Sequence, residues 1–500
     1  MIGLLNSKKI KVLLFCFLIS FICITICSKN SFLYPFNNWP DENAFMTVGK
    51  SWYHGMIPYK DIFEQKGPLL YFMFMICYMI SHNSFIGVYL FELVSFTLCL
   101  YYISKIIRLY LDDKIQYLIL PLFASIIVSS PFFAHGGSAE EFCLPLLSFM
   151  IYSLLNYDKN DIISNRTLFI NGIFAGLVAM IKFNLLGFWF IFMASIFISL
   201  ITKKKCKKSF ISCLFFLAGM FIPIFGFALY FYLNHGLEEL IKTYLLFNAS
   251  GYGNTASITE KIVPILRMLF LQMSSKFIIF NLIYLGLFVF VSRKDYIKSI
   301  IIKVTLIFTY IIGGIGIYFG LQPFIYYFLI LTLYIIFGLI VLFNYLITKR
   351  KFNYIFMLIV VIIISFSYLL SSNNIYYMKC KKNKLPQYRF AKIINKTKNA
   401  KILNYSFLDG GFYMVSDILP STKYFQALNA NVPGMYEELD KKIEKKYFDY
   451  VIVRTYDGHR DISKVLLDNY YIIDKQSEKL ENIKFTYILL KKTKINKESL

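Results

Sequence analysis

The chain has little charge for its length, and little acid within that charge. Charged residues make up 16% of 500, and 29 Asp and Glu stand against 53 Lys and Arg, leaving a formal +24. Soluble domains carry about 25% charged residues. That shortfall, beside 57% hydrophobic and 19% aromatic content, excludes a string of soluble domains. The nine cysteines form no CxxC pair and lie mostly inside apolar runs, so neither a zinc site nor a disulfide framework is signalled. No internal repeat or low-complexity tract stands out, and the lack of two equivalent halves weighs against many transporter folds. An excess of lysine would suit nucleic acid, yet a bilayer protein also concentrates lysine in its cytoplasmic loops. The placement of the lysines decides between them.

What the chain does have is long apolar runs. Lys8, Lys9 and Lys11 precede the run Val12 to Cys27, which lacks a small-x-small cleavage site and reads as a retained first span with the N-terminus inside. Further runs near the ~20 residues that cross ~30 Å of hydrocarbon lie at 86–107, 115–133, 142–156, 168–182, 184–202, 209–232, 271–292, 300–319, 325–347 and 353–372, about eleven spans in all. Basic loops follow every second span: Lys105, Arg108 and Lys114; Lys159 and Arg166; Lys203 to Lys208; Arg293, Lys294 and Lys298; Lys349 to Lys351. The positive-inside bias puts these loops in the cytoplasm. The pattern holds if Leu69 to Ile80, short for a span, is a helix lying in the outer interface.

The expected organisation is a transmembrane module over 1–372, with a first outer loop at 29–85, and a small soluble α/β domain outside the membrane over 373–500. In the latter, β-like runs at Ile402 to Tyr405, Tyr450 to Val453, Tyr470 to Ile473 and Phe485 to Leu490 alternate with helical stretches at Gly434 to Lys446 and Ile462 to Asn469.

Four polar clusters face outward in this topology. In the first loop, Trp39-Pro40-Asp41-Glu42 is followed by Pro58-Tyr59-Lys60-Asp61 and Lys66-Gly67-Pro68. The acidic pair also suits an ordinary helix start. Between the third and fourth spans lies His135-Gly136-Gly137-Ser138-Ala139-Glu140-Glu141, where Ser138 and Glu141 read as a capping box. Lys182, at the outer end of a span, is either a snorkelling anchor or a cation for an anionic ligand. Tyr326-Tyr327 reads as aromatic belt. Acids in two outer loops together with Lys66 and Lys182 have the makings of a base for a hydroxyl and cations for a phosphate.

Trp39-Pro40-Asp41-Glu42, then Gly55-x-x-Pro58-Tyr59-x-Asp61, then Lys66-Gly67-Pro68-Leu69-Leu70-Tyr71 resembles the first outer loop of the family 39-type membrane glycosyltransferases of the GT-C fold. Relatives include protein O-mannosyltransferases and the lipid A aminoarabinose transferase. Gly67 departs from the second proline usual there, and Tyr326-Tyr327 stands where many members have His-Tyr. The resemblance implies a multi-pass enzyme of the plasma (inner) membrane that takes a sugar from a polyprenyl-phosphate carrier to a glycan, lipid or protein hydroxyl on the outer face, with inversion. Its partners are membrane lipids, donor and acceptor, and not nucleic acid. It implies Asp41 as general base with Glu42 supporting it, and Lys66 and Lys182 at the donor phosphate. Glu140, Glu141, His135, Tyr59 and Tyr327 would serve the sugar, the acceptor or a divalent ion. Members differ in metal use, so the cofactor stays open. The alternative class is a transporter or flippase of lipid-linked saccharide, which predicts charges buried within spans and matched broken helices.

Overall fold

The computed structural model describes residues 2–249, 258–274, 276–349, 353–427, 432–456, 462–480 and 483–493. The first half runs through α1 (Ile2–Cys27), α2 (Pro40–Tyr53), α3 (Pro68–Ile80), α4 (Ile86–Ile107), α5 (Gln116–Ser129), α6 (Ala139–Asn160), α7 (Asn165–Lys182), α8 (Gly187–Thr202) and α9 (Cys206–Leu233). Contacts divide the chain into two units. One is Met1–Leu33, Tyr89–Tyr230 and Asn254–Ile375; the other is Tyr34–Val88, Phe231–Gly253 and Tyr376–Leu500.

The first unit is helical. Among the described residues, six stretches are long and apolar enough to cross a membrane: Lys8–Cys27, Ile86–Ile107, Asn165–Thr202, Cys206–Leu233, Ile300–Ile317 and Ile325–Thr348. Length and hydropathy thus single out six stretches, or seven if Thr259–Gln272 and Phe277–Ser292 form one bent span, against the eleven runs read from the sequence. α5 and Tyr354–Leu370 are apolar but shorter than a full crossing. α6 carries Glu140, Glu141, Asp158 and Lys159 at its two ends. The two runs expected at 168–182 and 184–202 form one 38-residue helical stretch. A straight helix of that length would measure about 57 Å, against ~30 Å of hydrocarbon. The stretch is interrupted at Lys182, where φ −155° and ψ 87° leave helical geometry and a 3-10 turn, Phe183–Leu186, follows.

Small residues let these apolar helices approach closely, since burial against lipid supplies no hydrophobic drive. A Cβ on Gly172 of α7 would lie 2.0 Å from the Phe216 carbonyl oxygen of α9, and one on Gly219 would lie 2.1 Å from that of Phe169. The run expected as a span at 325–347 begins as a 3-10 helix, Ile325–Tyr334, with Tyr326 to Tyr334 all buried, before α-helix Ile335–Lys349. Ten residues is long for that geometry.

In the second unit, α2 and α3 each begin with proline at the first helical position, where the missing N–H costs nothing. α3, at 13 residues, measures about 20 Å, less than the ~30 Å of hydrocarbon. A four-stranded sheet, order β1-β2-β4-β3, is built from β1 (Ile402–Tyr405), β2 (Tyr450–Tyr456), β3 (Tyr470–Leu480) and β4 (Ile483–Lys492). β1 and β2 are parallel, with Ile402 opposite Tyr450, and helix Met435–Glu444 lies in their crossover; β4 runs antiparallel to both β2 and β3. All four strands fall on the runs read from the sequence, and the hairpin is longer than read. Leu403, Val451, Val453, Ile488 and Leu490 of the sheet pack on Leu439 and Ile443 of that helix. Each such side chain contributes roughly 1.5–3 kcal/mol by leaving water. Phe63, from the first-loop segment, packs against the same core, and its N–H donates to the Lys423 carbonyl at 2.9 Å.

Candidate active site

Asp41 and Glu42 occupy the first turn of α2, where backbone N–H groups favour negative charge. The start is held from upstream. The Asn37 side chain accepts from the Trp39 N–H at 3.0 Å and donates to the Glu42 carboxylate, and the Asn43 amide donates to the carbonyls of Asn37 (3.0 Å) and Trp39 (2.7 Å). Glu42 is fully buried and Asp41 half-buried. Of the pair, Glu42 is the more deeply buried.

Lys66 closes a knot of hydrogen bonds in the same unit. Tyr59 sits at φ 70°, a left-handed conformation unusual for a bulky residue. Its N–H donates to the Ile62 carbonyl at 2.8 Å and its hydroxyl to the Lys66 carbonyl at 2.7 Å. The Lys66 N–H donates to Glu64 (3.1 Å) and to the Tyr71 hydroxyl (2.7 Å), and Tyr71 in turn donates to Glu64. Burial pushes both tyrosine hydroxyls well up, so they stay neutral donors beside the Glu64 carboxyl. Tyr59 thus fixes the backbone of Lys66, which is half-buried.

Three contacts tie α2 and its approach to the α/β region of this unit. Asn38 donates to Glu478 at 2.9 Å, and Glu478 also accepts from Tyr377 at 2.8 Å. Thr47 donates to Asp409 at 2.6 Å, and Lys50, 2% exposed, pairs with Asp417 at 2.6 Å. Burial pushes the Asp409 carboxyl up to about 6, although Thr47, Gly411, Asn404 and the Lys50 charge all favour the anion. Burial likewise lowers Lys50, against the pull of Asp417.

In the other unit, Ala134, Gly136 and Gly137 all have positive φ. This turn aims the Gly137 N–H at two carboxylates, Glu92 at 2.8 Å and Glu141 at 2.9 Å. Ser28 (2.8 and 2.9 Å) and Asn30 (3.2 Å) also donate to Glu92. Glu92 and Glu141, both fully buried, thus share one backbone donor and face each other. Ser138 caps α6 by accepting from the Glu141 N–H at 3.1 Å, as the capping box implies, but the Glu141 carboxylate reaches Gly137 instead of Ser138. His135 is bonded to Asn374, and burial with the neighbouring Lys29 charge holds its imidazole well below the usual value, hence neutral. A carbon on Gly136 would fall 2.2 Å from the Ser28 hydroxyl and 2.4 Å from Glu92.

Lys182 is not a snorkelling side chain. It forms an ion pair with Glu140, with the two side chains 11% and 2% exposed, and its ammonium lies 3.5 Å from the centroid of the Tyr327 ring. Glu140 and Glu141 are adjacent in sequence and separate in role, one matched to a lysine and one to a second carboxyl. Among the described residues, no group of three or more His, Cys, Asp and Glu side chains is placed to hold a metal ion.

The structure brings forward residues that the sequence reading passed over. Glu92 is the sole acid in the apolar run 86–107, and a lone acid in such a run is a signal in itself. Asn37, Asn43, Thr47, Lys50, Asp409 and Glu478 carried no comparable mark.

The architecture is that of the GT-C membrane glycosyltransferases, which bears out at the level of fold the resemblance seen in the first outer loop. Among solved structures, ArnT from Cupriavidus metallidurans bound to undecaprenyl phosphate matches with a TM-score of 0.58 and 9% identity, over 97% of this chain and 97% of that one. The apo state of the same protein gives 0.56 and 9%, over 97% and 98%. The archaeal oligosaccharyltransferase AglB from Archaeoglobus fulgidus, in complex with an inhibitory peptide and a dolichol-phosphate, gives 0.51 and 13%, over 90% and 69%. By sequence, no family model and no curated protein matches the chain.

Proposed function

We propose that the chain is a membrane glycosyltransferase that moves a sugar from a polyprenyl-phosphate carrier to an acceptor hydroxyl on the outer face of the plasma membrane, with inversion. The observation that carries this reading is a fold match along 97% of both chains to ArnT, itself bound to undecaprenyl phosphate, in a chain whose first outer loop opens a helix with Asp41 and Glu42. Asp41 takes the acceptor proton as the acceptor oxygen bonds to the anomeric carbon and the carbon–phosphate oxygen bond breaks. A positioned base of this kind contributes ~10²–10⁴-fold. Glu42, held by Asn37, orients that turn. Lys66 balances the phosphate as it departs. Lys182 is already matched by Glu140, so it is the weaker choice for that task.

The orientation proposed with this function follows from the basic loops. The N-terminus is cytoplasmic, and the first outer loop and C-terminal α/β region lie outside.

Membranes containing the chain, given radiolabelled polyprenyl-phosphate sugars and candidate acceptors, should show transfer that Asp41→Asn lowers by about 10²-fold or more. Undiminished transfer by the variant sinks the base assignment. Absence of transfer from every carrier, together with carrier translocation in vesicles, turns the reading to a flippase.

A further inference from the structure

We propose that the first unit binds an anionic phospholipid of the outer leaflet by its headgroup, in a recess where three helix ends meet. The end of α5, the start of helix Phe277–Ser292 and the end of helix Tyr354–Leu370 line a cavity of about 370 Å³, with Ile126, Ser129, Lys276, Phe277, Tyr368 and Asn373 among its residues. The volume lies at the small end of the range for ligand pockets. It suits a glycerophosphate headgroup, with the acyl chains left in the bilayer.

The recess lies at headgroup depth. Helix Phe277–Ser292 turns through 116° from the stretch Thr259–Gln272, which leaves Val263, Leu266 and Phe270 exposed, as suits a helix lying along an apolar surface. Lys276 is the residue at that corner, immediately before the helix. The basic loops put this corner on the outer face, and that orientation is all the inference takes from the functional reading.

The lining selects the ligand class. Its polar part consists of donors without acceptors: among the described residues, the Lys276 ammonium meets no carboxylate, and the Ser129 and Tyr368 hydroxyls and the Asn373 amide make no hydrogen bond. The Ser130 and Ser371 hydroxyls are already used, each donating to a backbone carbonyl at 2.7 Å. Helix Phe277–Ser292 begins with no side-chain cap, so its positive end adds to the field of Lys276. A lone lysine at a span end ordinarily snorkels, but here three free donors share its recess. The other wall is apolar, from Ile126, Phe277, Ile278 and Ile279, with Phe277 and Ile278 exposed. A phosphate oxygen accepts from the donors, and the chains it carries run down over those exposed side chains.

Other ligands match less of this lining. A metal ion needs acidic ligands, and the lining holds none. A free sugar leaves its own hydroxyl donors and the apolar wall unmatched. A polyprenyl-phosphate donor brings the same phosphate, but with no carboxyl in the lining a sugar held here has no base beside it.

The test is native mass spectrometry of the full chain in detergent micelles, with dioleoyl phosphatidylglycerol, dioleoyl phosphatidylcholine and undecaprenyl phosphate added in equal amounts. Phosphatidylglycerol should be retained over both others. Lys276→Gln should lower its retention about fivefold, and Ser129→Phe, which fills the recess and leaves the charge, should abolish it. Lys294→Gln, an exposed lysine of a basic loop, should change nothing. Lys276 is half-exposed, so its variant tests the site even where Ser129→Phe fails to fold. Asp41→Asn should leave retention unchanged while transfer falls, which tells failure of this site apart from failure of the transferase reading. Equal retention by wild type and Lys276→Gln, an equal fall in Lys294→Gln, or preference for phosphatidylcholine or undecaprenyl phosphate overturns the assignment.

Discussion

The Thr47 hydroxyl donates to the Asp409 carboxylate at 2.6 Å across 362 residues of sequence, with both side chains buried. Asp409 also accepts from the Asn404 amide (3.0 Å) and the Gly411 N–H (2.8 Å). One carboxyl therefore joins the helix that begins with Asp41 and Glu42 to the loop that follows β1. Asp409→Ala leaves three buried donors without an acceptor and should cost roughly 2–4 kcal/mol. Asp409→Asn keeps an acceptor oxygen and should cost less. Chemical denaturation of the detergent-solubilised chain orders wild type, Asn and Ala; an Ala variant as stable as wild type contradicts the arrangement.

The same group predicts a pH dependence. Burial raises the Asp409 carboxyl from 3.8 to about 6 in the fold. Between these values the folded chain holds a proton that the unfolded chain has lost, so stability falls as pH rises through that window. The effect is complete just above pH 6 and amounts to about 3 kcal/mol. In Asp409→Asn this slope is absent. Melting temperatures of wild type relative to the variant should therefore drop between pH 4.5 and 7, and parallel curves would contradict the buried, neutral carboxyl.

How much of this was legible in the sequence depends on the range of the interaction. β1 and β2 begin where their apolar runs begin, because alternation and turn residues are local. The Ser138 cap was readable for the same reason. Lys182 was visible as a helix-end cation, but its partner Glu140 lies 42 residues away and no periodicity connects them. Thr47, Asp409 and Glu478 look like ordinary polar residues until the chain folds. The span count differs for a related reason: hydropathy finds apolar runs but does not mark where one helical stretch breaks, as at Lys182 between α7 and α8.

The Lys182–Glu140 pair predicts strong coupling. Lys182→Met alone strands a buried carboxylate, and Glu140→Gln alone strands a buried ammonium over Tyr327; each should cost about 3–5 kcal/mol. The double variant should recover most of that loss, because neither charge then remains. Unfolding of the four chains in nanodiscs gives the cycle, and additive costs would show that the two side chains do not meet.

Gly136 predicts a steric limit. It sits at φ 91°, and a Cβ would fall 2.2 Å from the Ser28 hydroxyl and 2.4 Å from the Glu92 carboxylate. Gly136→Ala adds backbone strain to displacement of that network and should cost roughly 1–3 kcal/mol. Glu92→Ala in the same background opens space for the methyl group, so the second substitution should cost less in the Gly136→Ala chain than in wild type. Independent costs in a melting experiment would place the carboxylate away from the glycine.

Two native thiols test the proposed orientation without introducing any. Cys206 is exposed among the lysines at the start of α9, and Cys380 is half-exposed at the approach to the α/β region, whereas Cys16, Cys23, Cys27, Cys77, Cys99 and Cys143 are buried and Cys213 is half-buried within the apolar stretch Cys206–Leu233. If basic loops face the cytoplasm, a membrane-impermeant maleimide applied to intact cells should label through Cys380 and spare Cys206. Cys380→Ser should then abolish labelling of intact cells and Cys206→Ser should leave it unchanged, while permeabilised cells should gain label through Cys206. The reverse pattern would put the five basic loops outside and Asp41 in the cytoplasm, where it could not meet a carrier presented on the outer leaflet.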